Sequence, residues 1–243
     1  MSNIGRPSCV LQNAKLNSPK EPLGYNHILK MLIGDLAEAA LITVIKAAGV
    51  EVESTNTKVS LSIGGNRIDG STDLSLREQT GTLGVYDIKS ASAYSFNNKF
   101  QTWETVLKDD PFGYGAQGFG YAKDTPNARF RGWIVFEKAT GEVKVVTTPT
   151  DEREYAELEA LVLSKAESTI QTILHSDTVE KLPTQEETWY GKPTGNTVLN
   201  RNCVFCEYKM SCFPNAIYMK NPKSKGSTDW RWYTDIKTDA EAK

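Results

Sequence analysis

Asp73 lies in the run Ile68-Asp69-Gly70-Ser71-Thr72-Asp73-Leu74-Ser75-Leu76, and Asp87 and Lys89 lie in Leu83-Gly84-Val85-Tyr86-Asp87-Ile88-Lys89-Ser90. Both runs read as strands, the first alternating apolar and polar residues, with Gln79-Thr80-Gly81-Thr82 as the turn between them. Residues two apart on a strand share a face. Asp87 and Lys89 therefore point the same way, and Asp73 on the neighbouring strand can join them. Two carboxylates and an ammonium at one point are costly unless something needs them. A hard divalent cation does, because it takes carboxylate and carbonyl oxygens and commonly acts on phosphates. Taken by itself, an Asp-x-Lys is more often the solvated side of an ordinary hairpin.

Other residues could join such a site. Glu38 falls on a helix face with Met31, Ile42 and Ile45, where an unpaired carboxylate would take up a proton or need a cation. Gly34, one turn earlier, leaves room for close approach of a backbone or ligand. Gln117 and Tyr121 are four apart on a helix, hence on one face. All four cysteines want one explanation: Cys203, Cys206 and Cys212 are spaced C-x2-C-x5-C, and Cys9 lies far upstream. Zinc is one occupant for four thiolates, although it usually takes paired hooks. An iron–sulfur cluster suits the count as well.

Taken in order, Gly34-x-x-x-Glu38, Gly70-x-x-Asp73, Asp87-Ile88-Lys89 and Gln117-x-x-x-Tyr121 resemble the signature of the RecB-like branch of the PD-(D/E)XK nuclease superfamily. The cysteine pattern resembles the iron-staple nucleases of that branch, which include AddB and the CRISPR-adaptation nucleases. The resemblance runs from Cys9 to Cys212. It implies a 4Fe–4S cluster on Cys9, Cys203, Cys206 and Cys212, with zinc as the lesser alternative. It implies Mg2+ or Mn2+ on Asp73, Asp87 and the carbonyl of Ile88, with Glu38 completing the site. Lys89 would orient and help deprotonate the attacking water, and Gln117 and Tyr121 would position the strand. One departure is that many relatives carry a His where Glu38 stands. The implied activity is a DNA exonuclease acting on single-stranded ends in recombination, replication or end processing, of the kind a bacteriophage encodes, with a recombination or replication protein as a further partner. The competing readings are a non-catalytic DNA-binding module and a restriction-type endonuclease.

The elements that must position these residues follow from periodicity. A helix is expected over residues 26–48, apolar all the way round and hence buried, ended by Gly49. Strands are expected at 50–52 and 58–63, with a turn at Gly64-Gly65-Asn66. Helices are expected over 94–107 and 114–122, separated by Lys108-Asp109-Asp110-Pro111. A hairpin of 129–137 and 142–148 turns at Thr140-Gly141. A long amphipathic helix covers 151–174, and 176–199 reads as a connecting loop. The expected fold is α/β, a central mixed sheet flanked by helices with a restriction-endonuclease-like core, closed by a cysteine staple. It would form a single domain over 1–243, with a core at about 25–175 and a cluster lobe from 1–24 and 195–243.

Composition sets outer limits. With 28 basic and 30 acidic residues in 243, net charge gives no general affinity for nucleic acid. Local basic residues do occur, with Arg201, Lys209, Lys220, Lys223 and Lys225 interleaved with Phe205, Tyr208, Phe213 and Tyr218. That mixture suits single-stranded DNA, and equally a solvated loop. The role of Trp230, Trp232 and Tyr233 is open. The only histidines, His27 and His175, read as helix-end residues, so nucleophile–histidine hydrolysis has no foothold. No run approaches the roughly 18 apolar residues of a membrane span, and the opening residues lack a signal-peptide core. The expected setting is cytoplasmic, away from membranes.

Overall fold

The computed structural model describes residues 5–22, 24–63, 65–108, 110, 112–222 and 229–237, without the side chains of Asn26, His27 and Ile63. The expectations placed on the His27 side chain, Gly64, Asp109, Pro111, Lys223 and Lys225 lie outside these residues. The chain forms two units, Met1–Arg6 with Gly24–His175, and Pro7–Leu23 with Ser176–Lys243. The first helix, α1 (Ser8–Lys15), belongs to the second unit.

The larger unit begins with α2 (Tyr25–Ala47), followed by β1 (Val52–Ile63), β2 (Asn66–Arg77) and β3 (Leu83–Ala91). Gly81, at φ +82°, makes the turn into β3. Three short helices then cross over: α3 (Ala93–Asn98), α4 (Trp103–Lys108) and α5 (Tyr114–Asp124). The continuous helix expected over 94–107 is split because Thr102 and Thr105 exchange side-chain-to-backbone hydrogen bonds, which starts a new helix. β4 (Ala128–Glu137), β5 (Val143–Thr147) and α6 (Glu152–His175) complete the unit.

Its sheet has the order β1-β2-β3-β4-β5, with β3 and β4 parallel and the other neighbours antiparallel. The crossover helices make that parallel pairing possible. Leu74, Ile88 and Ile134 pack with Leu41 of α2. A second cluster joins Val85, Phe130, Trp133 and Val135 to Phe119 of α5 and Tyr155 of α6. Buried Ala37 and Leu41, with half-buried Gly34, Glu38, Ile42 and Ile45, form one stripe of α2. The expectation of an all-round buried helix is corrected: Ile28, Leu32, Leu36 and Val44 stand exposed.

β3 and β4 slip register between Val85 and Tyr86, which pair with Phe130 and Gly132. The bulge frees Arg131 to pair with Glu78. Gly132 adopts φ +129°, and a Cβ there would stand 1.9 Å from the Val146 carbonyl oxygen.

The smaller unit contains β6 (Gln185–Trp189), β7 (Lys192–Val198), α7 (Arg201–Val204), α8 (Lys209–Cys212), β8 (Ile217–Lys220) and β9 (Trp230–Asp235). Its antiparallel sheet has the order β6-β7-β9-β8. The loop expected over 176–199 holds for 176–184 and is corrected over 185–198 to a hairpin, turned by Tyr190 and Gly191 at φ +47° and +76°. Its interior is polar. Glu187 accepts hydrogen bonds from Tyr233 at 2.7 Å and from Thr194 and Asn196 at 2.8 Å. Burial works to raise its pKa, but these bonds outweigh it and hold the carboxyl below its ordinary value.

The cysteine staple is also corrected. Among the described residues no group of three or more His, Cys, Asp or Glu could hold a metal ion. All four thiols are buried and unbridged. Cys9 and Cys206 pack with Val10 and Tyr208, whereas Cys203 packs with Leu199 and Ala216. Burial, reinforced by neighbouring thiols, raises the pKa of Cys9 and pushes Cys203 up to about 12. What docks α1 in this unit is ordinary packing plus hydrogen bonds, including Asn13 Nδ2 donating to Cys212 Sγ at 3.4 Å and Glu180 N donating to Gln12.

Among the described residues no helix is long and apolar enough to cross a membrane. Gly132→Ala is expected to cost about 3 kcal/mol or more, because its Cβ would meet backbone rather than a movable side chain. Urea unfolding of the variant measures this loss.

Candidate functional site

Asp87 sits on β3 with no exposed side-chain surface, and Lys89 Nζ donates to its Oδ1 at 2.7 Å. Asp73, on β2, uses Oδ2 to accept the Ile88 backbone N–H at 2.8 Å. The Lys89 ammonium also lies 4.9 Å from the centre of the Tyr114 ring, a cation–π contact. Burial pushes Asp87 up to about 7. Lys89 pulls against this, while Asp73 adds to it both by charge and as a hydrogen-bond partner. Asp87 Oδ2 has no hydrogen-bond partner among the described atoms. For Lys89, burial opposes the charge, but Asp87 and Asp73 outweigh it and hold the ammonium above its usual pKa.

Glu38 feels the same group from α2. Burial and then the charge of Asp73 raise its pKa, and a hydrogen bond from Asn56 works against them. The cleft beside it, about 450 Å³, is lined by Asp35, Glu38, Ala39, Ile42 and Asn56, without Asp73 or Asp87. Gly34 is no open gap, since a Cβ there would make an ordinary 3.5 Å contact with Ser90 Oγ. Gln117 and Tyr121 are buried and bonded to each other, Nε2 donating to the phenol oxygen at 2.8 Å. Sequence reasoning did not single out Tyr114 or Asn56. Their types carry no signal beyond a helix start and a strand asparagine.

This geometry overturns the metal-dependent chemistry. Asp73 and Asp87 already spend oxygens on Ile88 N–H and Lys89, and no metal-holding group of three or more carboxylates, cysteines or histidines exists among the described residues. The Mg2+ or Mn2+ site on Glu38, Asp73, Asp87 and Ile88 is corrected accordingly. So are the 4Fe–4S cluster, its zinc alternative, and the assignment of the chain as a hydrolytic DNA exonuclease.

A second constellation lies on the smaller sheet. Tyr218 of β8 pairs with Trp232 of β9, and Lys220 pairs with Trp230. Alternation places all four on one face. The Tyr218 ring centre is 5.3 Å from that of Trp230 and 5.2 Å from that of Trp232. Lys220 Nζ stands 5.9 Å from the Trp230 ring centre, and Lys209 Nζ 5.0 Å from that of Trp232. Tyr218 and Trp230 remain about half exposed, at 51% and 48%. Lys209 is also tied to Glu21, and Arg231, on the other face, is bound to Asp229 at 2.8 Å. The signal in the sequence was the alternation Trp230-Arg231-Trp232; its pairing with Tyr218 required the fold.

No family model matches the chain, and no curated protein matches it. The solved structure of SSO0001 is similar over 86% of this chain and 82% of that one, at 15% identity and a TM-score of 0.45. A likeness that distant carries no argument. The resemblance to the PD-(D/E)XK nucleases and their iron-staple branch therefore finds no support in these comparisons and is withdrawn with its metal sites.

The charge cluster has a stability signature. Folded, Asp87 holds its proton to about pH 7, whereas its ordinary value is 3.8. The folded state binds more protons between those values, so this group's contribution falls as pH rises across that window and is level above it. Lys89→Met removes the group that holds the Asp87 pKa down, so Asp87 keeps its proton to higher pH and the cost relative to the native chain is expected to grow by about 1.4 kcal/mol per pH unit above pH 7. The loss should shrink toward pH 5, where Asp87 is protonated in the folded chain. Urea unfolding of both proteins across this range measures the difference.

Proposed function

We propose that the chain binds single-stranded nucleic acid, without metal and without cleaving it, on the aromatic face of β8 and β9. The observation that carries this reading is the juxtaposition of Tyr218, Trp230 and Trp232 on one sheet face, with the Lys220 ammonium beside them. Bases of any sequence stack on exposed aromatic rings, and a nearby ammonium meets the backbone phosphate. The half-exposed rings leave faces open for stacking.

Stacking dominates this reading and electrostatics assist. Lys209 and Arg231 already have acidic partners, which leaves Lys220 as the described cation best placed for phosphate. Binding should therefore weaken only gently with salt, with a logarithmic slope of about −1 to −2. A basic groove that neutralised many phosphates would give a much steeper slope. A double helix, with its bases already stacked, should compete poorly.

Quenching of tryptophan fluorescence by a mixed-sequence DNA oligonucleotide, measured in a chelator, tests the proposal. Trp230→Ala is expected to weaken binding by about 1–3 kcal/mol, roughly 5- to 150-fold, with the fold retained. Absence of binding by the native chain, or affinity unchanged in Trp230→Ala, would refute the assignment.

A further inference from the structure

The outward face of α2 has an order that its hydropathy alone does not reveal. Tyr25, Leu29, Leu32, Leu36, Ala39 and Thr43 recur at spacings of four and three, the repeat of a helix-pairing seam. At 100° per residue this seam lies opposite the stripe of Ala37 and Leu41 that faces the sheet. Its large members are exposed: Tyr25 at 73%, Leu29 at 37%, Leu32 at 50% and Leu36 at 62%. Ala39 and Thr43 are exposed as well. Thr43 Oγ1 donates back to the Ala39 carbonyl at 2.8 Å, so its hydroxyl is satisfied within the helix.

We propose that this face pairs with the same face of a second copy of the chain, the two α2 helices running antiparallel. Side-chain size favours that direction. The first half of the seam is large and the second half small, so reversing one helix sets Tyr25 against Thr43, Leu29 against Ala39 and Leu32 against Leu36. Large then meets small at each end, the interdigitation that a close-packed interface needs. Parallel pairing would set large on large at one end and leave a void at the other. The antiparallel arrangement is an isologous two-fold contact, which closes on itself.

The area fits a dimer. Tyr25, Leu29, Leu32 and Leu36 of the seam present on the order of 400 Å² of apolar surface, and flanking Ile28 and Ile33 bring this to about 550 Å², counting roughly 150–200 Å² per fully exposed side chain. That is near the upper limit for a patch on a monomer, and it is roughly two-thirds of the about 800 Å² per partner found in stable interfaces.

Sedimentation and light scattering of the full chain, across a concentration series, test the proposal. The native chain is expected to be dimeric. Leu36→Glu is expected to weaken the dimer at least 100-fold while its circular dichroism stays native, because it replaces an exposed residue. Ala39→Leu separates the two directions: it should weaken an antiparallel dimer about tenfold by crowding Leu29, and strengthen a parallel one. A native chain that stays monomeric, a larger assembly, a dimer indifferent to Leu36→Glu, or one strengthened by Ala39→Leu would each overturn the proposal. None of these residues belongs to the aromatic face, so this outcome is separable from nucleic-acid binding.

Discussion

The contact between Lys89 and Asp87 is the interaction on which the larger unit depends. A carboxyl with no exposed surface, in the middle of a five-stranded sheet, must be neutralised from within. Lys89 does this from the same strand, Asp73 adds a second acceptor from β2, and Tyr114 closes the arrangement from α5. The groups are close enough to couple electrostatically, with one oxygen of Asp73 taken by the Ile88 N–H and one of Asp87 by the Lys89 ammonium. The result is a closed charge cluster between sheet and helix.

The smaller unit solves the problem of a polar interior differently. Glu187 is buried. Four neutral donors, Thr194, Asn196, Asn221 and Tyr233, hold its charge, with the Arg231 guanidinium 3.6 Å away. β9, which supplies Tyr233 to this network, carries Trp230 and Trp232 on its other face, where they meet Tyr218 of β8. A satisfied buried network fixes strand register, and register is what brings three rings from two strands together. The polar network and the aromatic cluster lie on opposite faces of β9.

Much of the larger unit was legible because its strands alternate and its turns carry glycine. The hairpin of β2 and β3, the hairpin of β4 and β5, and α6 all stand within a residue or two of where periodicity put them. The smaller unit was not legible. Residues 185–198 bury Glu187 and Asn196 and expose lysine and proline, which reverses the pattern by which a strand is recognised. Asp73, Asp87 and Lys89 were placed on adjacent strands correctly, since strand alternation determines their direction. Their chemistry was misread, because sequence spacing cannot tell whether a carboxylate is free for a cation or already bonded to a neighbouring N–H. Four cysteines likewise look the same in sequence whether they are thiolates around a metal or buried thiols in apolar surroundings. The exposed seam of α2 was hidden by its own hydropathy, since apolar residues on every side read as burial.

The protonation of Asp87 is the most direct test of this account. Carbon NMR of the Asp87 carboxyl, followed against pH with and without magnesium, should give a pKa near 7 that magnesium leaves unchanged. A carboxyl that drops into or below the ordinary range when magnesium is added would contradict the account, because its oxygens would then be ligating a cation.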